Sequence, residues 1–179
     1  MRWAVAAFAA AGALWAARGV LATADPSYYA PVTVIDYAAV GLYSLALALT
    51  GIALVLLERF DGVRAHRVAR AGLFVGAIGG IVACFANFGE DWLGIAELSL
   101  VYVASAIALF LGIVLLGVSL GTRSRKFRWI GALLLVPVFA PLLGQAVGFT
   151  IGGVAFVACA ALLARMNPAE RVSAANLAP

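Results

Sequence analysis

The chain has 179 residues, of which 65% are hydrophobic and only 11% charged, and its mean hydropathy is +1.09. Water-soluble domains of this size are about half apolar and about a quarter charged because their surface faces water, so the composition excludes an ordinary soluble fold, a disordered chain and a collagen-like repeat. The net charge of +4 is not a nucleic-acid signal, since the basic residues sit in short breaks between apolar runs and read as topology determinants.

A spanning helix takes roughly 20 apolar residues, so six of them leave only loops and tails. The expectation is one all-α integral membrane domain, a polytopic transmembrane helical bundle with six spans. The first run, residues 3–22, is rich in alanine and offers Ala9, Ala13 and Ala17 as small contact positions. Arg2, the apolar run and Ala22-Thr23-Ala24 also have the layout of a secretory signal with a small-x-small cleavage site. Pro26 just beyond that site and Arg18 on its approach weigh for a retained span; the alternative is five spans behind a cleaved signal.

The second run, 34–57, follows Asp25-Pro26 and Pro31, and Thr33-Val34-Ile35-Asp36 has capping-box spacing at its start. The third, 68–88, follows the basic stretch from Glu58 to Arg67. It carries Gly72, Gly76 and Gly80 at i, i+4 and i+8, a spacing that lets helices approach closely. The fourth, 95–120, follows the acidic turn from Asn87 to Trp92, and Gly94-Ile95-Ala96-Glu97 puts Glu97 in its first turn, where a helix N-terminus stabilises an anion.

A second basic stretch, Thr122 to Arg128, precedes an apolar run over 129–163. As one helix this would measure about 52 Å, against a hydrocarbon core of about 30 Å. A break is expected at Gly144-Gln145-Ala146-Val147-Gly148, giving spans 129–144 and 147–164. Pro137 and Pro141 should kink the first of these, while Gly144, Gly148 and Gly152 offer another small face. Residues 165–179 form a short cytoplasmic tail.

Lys and Arg accumulate in cytoplasmic loops. With six spans and both termini cytoplasmic, eleven of the twelve basic residues fall inside, Arg18 being the exception, and five of the eight acids fall outside. The expected location is the plasma or inner membrane, multi-pass. An offset of 61 residues superposes Asp36 on Glu97, Val40 on Val101, Ser44 on Ser105, Gly51 on Gly112 and Arg64 on Arg125. That pattern reads either as a duplicated hairpin or as a chance alignment of apolar helices.

Catalytic and metal chemistry find little support. The single histidine, His66, lies in a basic loop, so paired-histidine haem ligation within the chain is excluded. Cys84 and Cys159 are expected at opposite depths, too far apart for a disulfide. No nucleophile–His–carboxylate set can be assembled, and no phosphate loop is present. Glu58-x-x-Asp61-Gly62-x-x-Ala65-His66 resembles the front half of the CDP-alcohol phosphotransferase signature. That family needs two more acids on the next helix for its divalent metal, where this chain has Gly80 and Cys84. Neither an enzyme nor a metal or cofactor is expected.

The outer ends of the spans hold the polar groups: Arg18, Asp36, Tyr37, Asn87, Glu90, Asp91, Glu97 and Gln145 are the candidate ligand-binding set. Ionisable groups at membrane depth point to function; helix capping and ion pairing are the competing reading for Asp36 and Glu97. Trp3, Tyr28, Tyr29, Trp92 and Trp129 read as interfacial anchors. Arg59, Arg64, Arg67, Arg123, Arg125, Lys126 and Arg128 are placed to meet anionic lipid headgroups.

In length and topology the chain is similar to the vitamin-binding components of energy-coupling-factor transporters, whose first helix carries Ala-x-x-x-Ala contacts. Ala6-x-x-x-Ala10 and Ala9-x-x-x-Ala13 have that spacing, as any alanine-rich helix would. The expected function is non-enzymatic binding, or assisted translocation, of a small ligand from the extracytoplasmic side. The alternative is an accessory or assembly subunit whose glycine faces serve another membrane protein.

Overall fold

The computed structural model describes residues 2–24, 31, 33–59, 63, 66–123 and 127–166. The regular elements are α1 (Arg2–Ala24), α2 (Val34–Leu57), α3 (Arg67–Asp91), α4 (Leu98–Arg123), α5 (Arg128–Phe139), a 3-10 helix (Ala140–Leu143) and α6 (Gln145–Arg165). The described chain is all-helical. Five helices, α1 to α4 and α6, are long and apolar enough to cross a membrane, and the segment Arg128–Leu143 is shorter. At about 1.5 Å per α-helical and 2.0 Å per 3-10 residue it measures about 26 Å. Asp25, Tyr28, Tyr29, Arg64, Arg125, Lys126 and the tail from 167 onward lie outside the described residues, as does the side chain of Arg123.

Local chemistry sets the helix ends. Thr33 is extended and its hydroxyl accepts the Asp36 N–H at 3.2 Å, while the Asp36 carboxylate accepts the Thr33 N–H at 2.8 Å. The reciprocal pair satisfies two donors that the first turn of α2 leaves open. The fourth helix starts later than its hydropathy implies. Gly94 turns the chain with φ +70°, and the N–H groups of Leu98 and Ser99 donate to Ile95 and Ala96. Glu97 therefore precedes α4 and is exposed, rather than sitting in its first turn.

The expected break in the last apolar run falls at Gly144, with α6 beginning at Gln145. The α5 helix continues through Pro137 and tightens to 3-10 at Ala140. Pro141 has no N–H for the Pro137 carbonyl, so the i→i−4 ladder lapses there. Gly144 then turns the chain back with φ +94°, a conformation open to glycine.

Each helix packs on its neighbours in sequence, and α6 packs on α1, closing a six-helix ring. Close contacts pair low with high residue numbers across five of the six seams, so those neighbours run antiparallel, and alternation around the ring makes α1 antiparallel to α2 as well. An even number of alternating helices lets the last close antiparallel on the first. On the α1–α6 seam Gly12 faces the Gly153 carbonyl, and Gly19 faces Ala146 and Thr150. Large side chains fill the interior: Phe8 and Trp15 from α1, Leu47 and Leu54 from α2, Leu109 and Ile113 from α4, and Phe156 from α6 are almost wholly buried.

The small-residue faces differ from the simple stripes expected. Gly72, Gly76 and Gly80 do not serve one neighbour. A β-carbon at Gly72 would lie 2.8 Å from the Gly112 carbonyl of α4, and one at Gly80 would lie 2.8 Å from the Leu47 carbonyl of α2. Gly76 sits between the two, and Gly79 completes the α4 face against Ser105 and Leu109. The third helix is thus clasped on two sides. Gly148 and Gly152 pack on Ala140, Pro141 and Pro137, whereas a β-carbon at Gly144 would meet nothing within 4 Å, and Gly144 acts as the hinge. On α1, Ala6, Ala10 and Ala13 face outward while Ala4, Ala11, Trp15 and Ala22 are buried. A helix this rich in alanine is small on every side, so its packing face cannot be read from size alone. Gly51 and Gly112, superposed by the 61-residue offset, both face α3. A repeated hairpin would turn Gly112 toward α5, so the offset aligns residues without aligning neighbours.

Candidate functional site: a polar cavity at one end of the ring

Where α1, α3 and the 3-10 helix end, and α2, α4 and α6 begin, the helices enclose a cavity of about 300 Å³. Its polar lining comes from helix ends. Asn87, Glu90 and Asp91 occupy the last turn of α3 at i, i+3 and i+4, a spacing that puts them on one face. Ser99 and Tyr102 come from the first turns of α4, Gln145 and Phe149 from those of α6, and Asp36 from the first turn of α2. Arg18 reaches the same space from α1 although the residue is only 9% exposed.

The cavity is polar at its rim and aromatic below. The Tyr43 and Tyr102 hydroxyls lie 3.0 Å apart and share a hydrogen bond. Tyr43 and Phe149 rings meet at 5.3 Å between centroids, and both contact Trp15 edge-on. The Trp15 indole N–H donates to Thr50 Oγ1 at 3.2 Å, which satisfies the one polar atom of a buried ring. Asn87, only 4% exposed, donates from Nδ2 to Ser44 Oγ at 3.0 Å. The Arg18 guanidinium carbon lies 5.7 Å from the centre of the Phe149 ring, within cation–π range.

Six of the eight sequence-predicted residues come together here: Arg18, Asp36, Asn87, Glu90, Asp91 and Gln145. The other two do not. Glu97 lies in the loop before α4 and is exposed. Tyr37 turns outward, its ring edge-on to Trp92 at 5.6 Å, and its carbonyl accepts the Trp92 indole N–H at 3.0 Å. That contact ties the start of α2 to the turn after α3. Sequence reasoning missed Tyr43, Ser99, Tyr102 and Phe149. The legible signal was the phenols, because a tyrosine well inside an apolar span must find a partner for its hydroxyl. Phe149 carried none, since a phenylalanine among apolar residues reads as core.

Trp3 and Trp129 are strongly exposed at helix starts, at the opposite end of the ring. Arg59, Arg67 and Arg128 are exposed at that end too, where Arg70 pairs with Glu58 at 3.2 Å. Among the described residues no three His, Cys, Asp or Glu side chains are grouped to hold a metal ion. Cys84 and Cys159 are free thiols. The chain matches no protein-family model, and no curated protein or solved structure is significantly similar to it.

Proposed function

We propose that the chain is a six-span protein of the plasma or inner membrane, with both termini cytoplasmic, that binds a small ligand in this cavity from the extracytoplasmic side. The reading is non-enzymatic: the residues at the cavity recognise and hold, and handing the ligand onward across the membrane is the natural use of such a site. The single observation that carries it is the convergence of Arg18, Asp36, Asn87, Glu90, Asp91 and Gln145 on one concave space. Desolvating such groups in an apolar bundle is expensive, and membrane proteins keep them where they bind or conduct something. A few convergent polar groups over an apolar floor is also the usual anatomy of a small-molecule pocket.

Native mass spectrometry of the chain released from lipid nanodiscs tests this. A single small-molecule adduct is expected, retained by Glu58→Gln and lost in Asn87→Leu and Tyr102→Ala. Absence of any adduct, together with a second membrane protein in fixed stoichiometry, would replace the binder with an accessory subunit. Orientation is checked separately. In a background with Cys84→Ala and Cys159→Ala, a cysteine at Ser124 is expected to resist an impermeant maleimide on intact cells; labelling there would reverse the proposed sidedness.

A further inference from the structure

Resting on the proposal that this cavity is a ligand site, we infer that its ligand is a small organic cation: a protonated amine on a compact, largely apolar body. Charge is the first reason. Among the described lining residues three carboxylates, Asp36, Glu90 and Asp91, face one guanidinium, Arg18. With all four ionised, the lining carries an excess of two negative charges, and an anionic ligand would add to it. Helix dipoles do not reverse this. Three helices begin and three helical segments end at the cavity, so their terminal partial charges largely cancel.

Hydrogen-bonding capacity is the second reason. Ionised carboxylates only accept hydrogen bonds. One Asn87 Nδ2 donor goes to Ser44, and the amide carbonyl adds an acceptor to a lining residue. An acceptor-rich wall suits a ligand that only donates, and an ammonium group has three donors and no acceptor. The third reason is the floor. Tyr43, Tyr102 and Phe149 line the space and pack on one another, and ring faces attract cations. The chain already uses one of them so, with Arg18 over Phe149.

A metal cation does not fit as well. The carboxylates are spread over α2 and α3 and form no group of three metal ligands among the described residues. Their attraction therefore acts as a field over a cavity, which suits a diffuse organic charge better than a hard ion that demands close oxygen ligands. A cavity of about 300 Å³ lies at the small end of ligand sites, which run from about 300 to 1,000 Å³. That confines the body of the ligand to one ring, two fused rings or a short branched chain.

Matched probes decide the charge. Calorimetric titrations of the full chain in nanodiscs at pH 7 would compare phenethylamine and tryptamine with 2-phenylethanol and tryptophol, and with 3-phenylpropionate and indole-3-propionate. The amines are expected to bind at least about tenfold more tightly than the alcohols, a gap of about 1.4 kcal/mol, with the acids weakest. The double variant Glu90→Gln, Asp91→Asn is expected to erase most of that gap, and a helical circular dichroism spectrum with cooperative melting shows that it folds. Acids binding as tightly as amines would make Arg18 the anchor and overturn the cation while leaving a ligand site. Equal binding of amines and alcohols, unmoved by the double variant, would likewise overturn the cation alone. If none of the six binds, the cation and the ligand site both fall.

Discussion

Asp36 spends its carboxylate twice. It accepts the Thr33 N–H at 2.8 Å, closing the cap of α2, and it faces the cavity beside Arg18. The two roles separate by substitution. Thr33→Ala removes the hydroxyl half of the cap at a cost of about 1 kcal/mol. It should lower the melting temperature in detergent while preserving the preference for amines over alcohols. Asp36→Asn keeps the shape but removes the charge, so it should reduce that preference as well as stability. Thermal unfolding and titration on the same samples check both; a Thr33→Ala variant that changed ligand preference would show that the cap and the site are not separable. Deeper in the ring, Thr50 links two polar contacts, accepting from the Trp15 indole and donating to the Ala46 carbonyl at 2.7 Å. Hydrogen bonds inside membrane proteins average about 0.6 kcal/mol, so Thr50→Val should destabilise modestly and change the Trp15 fluorescence rather than abolish folding.

At the scale of elements, three glycines separate packing from conformation. Gly112 lies against the backbone of Gly72 and Gly76, with no room for a β-carbon. Gly112→Leu should force α4 away from α3 and sharply reduce the folded fraction, because interior packing does not deform gradually. A β-carbon at Gly121 would meet nothing within 4 Å and its backbone is helical, so Gly121→Ala should be neutral or stabilising by up to about 1 kcal/mol from helix propensity. Gly144 also has open space, but its φ of +94° with ψ of 156° is a glycine conformation. Gly144→Ala should therefore cost on the order of 1–3 kcal/mol. Chemical unfolding of the three variants ranks them, and equal effects at Gly121 and Gly144 would contradict the hinge.

The element scale also shows what was legible from the chain. Long apolar runs between basic or turn-rich breaks located all six helices, because hydropathy over a full span is a strong signal. The hinge was legible as excess length. The start of α4 was not, since Ile95 is apolar and only the Gly94 turn and its hydrogen bonds show that the helix begins at Leu98. The charged part of the site stood out because ionisable residues are rare within apolar stretches. Its aromatic part did not, because Tyr43, Tyr102 and Phe149 are distinguished from core only by which helices meet. Glu97 lies apart from the other candidates through that same late helix start.

For the whole molecule, charge is divided between two ends, the carboxylate-rich cavity at one and exposed arginines at the other. The Glu58–Arg70 pair at the far end is partly solvent-exposed, and exposed pairs contribute at most about 1 kcal/mol. Glu58→Gln should shift stability by no more than that and leave ligand affinity untouched. Amine binding, by contrast, should weaken as ionic strength rises while alcohol binding stays constant, because salt screens the partly exposed carboxylates. Titration across a salt series reads this directly, and a flat amine response would detach binding from the field of Glu90 and Asp91.

The closure of α6 on α1 has a consequence for biosynthesis. Chains emerge from the ribosome N-terminal end first, so Trp15, Arg18 and the small face around Gly12 enter the bilayer before Phe149, Phe156 and Gly153 exist to cover them. Until translation reaches the final helix the first stays an open seam exposed to lipid and to quality-control proteases. The pocket is thus among the last features of the nascent protein to form, and premature termination at residue 144 should yield a product that inserts, binds nothing and is rapidly degraded.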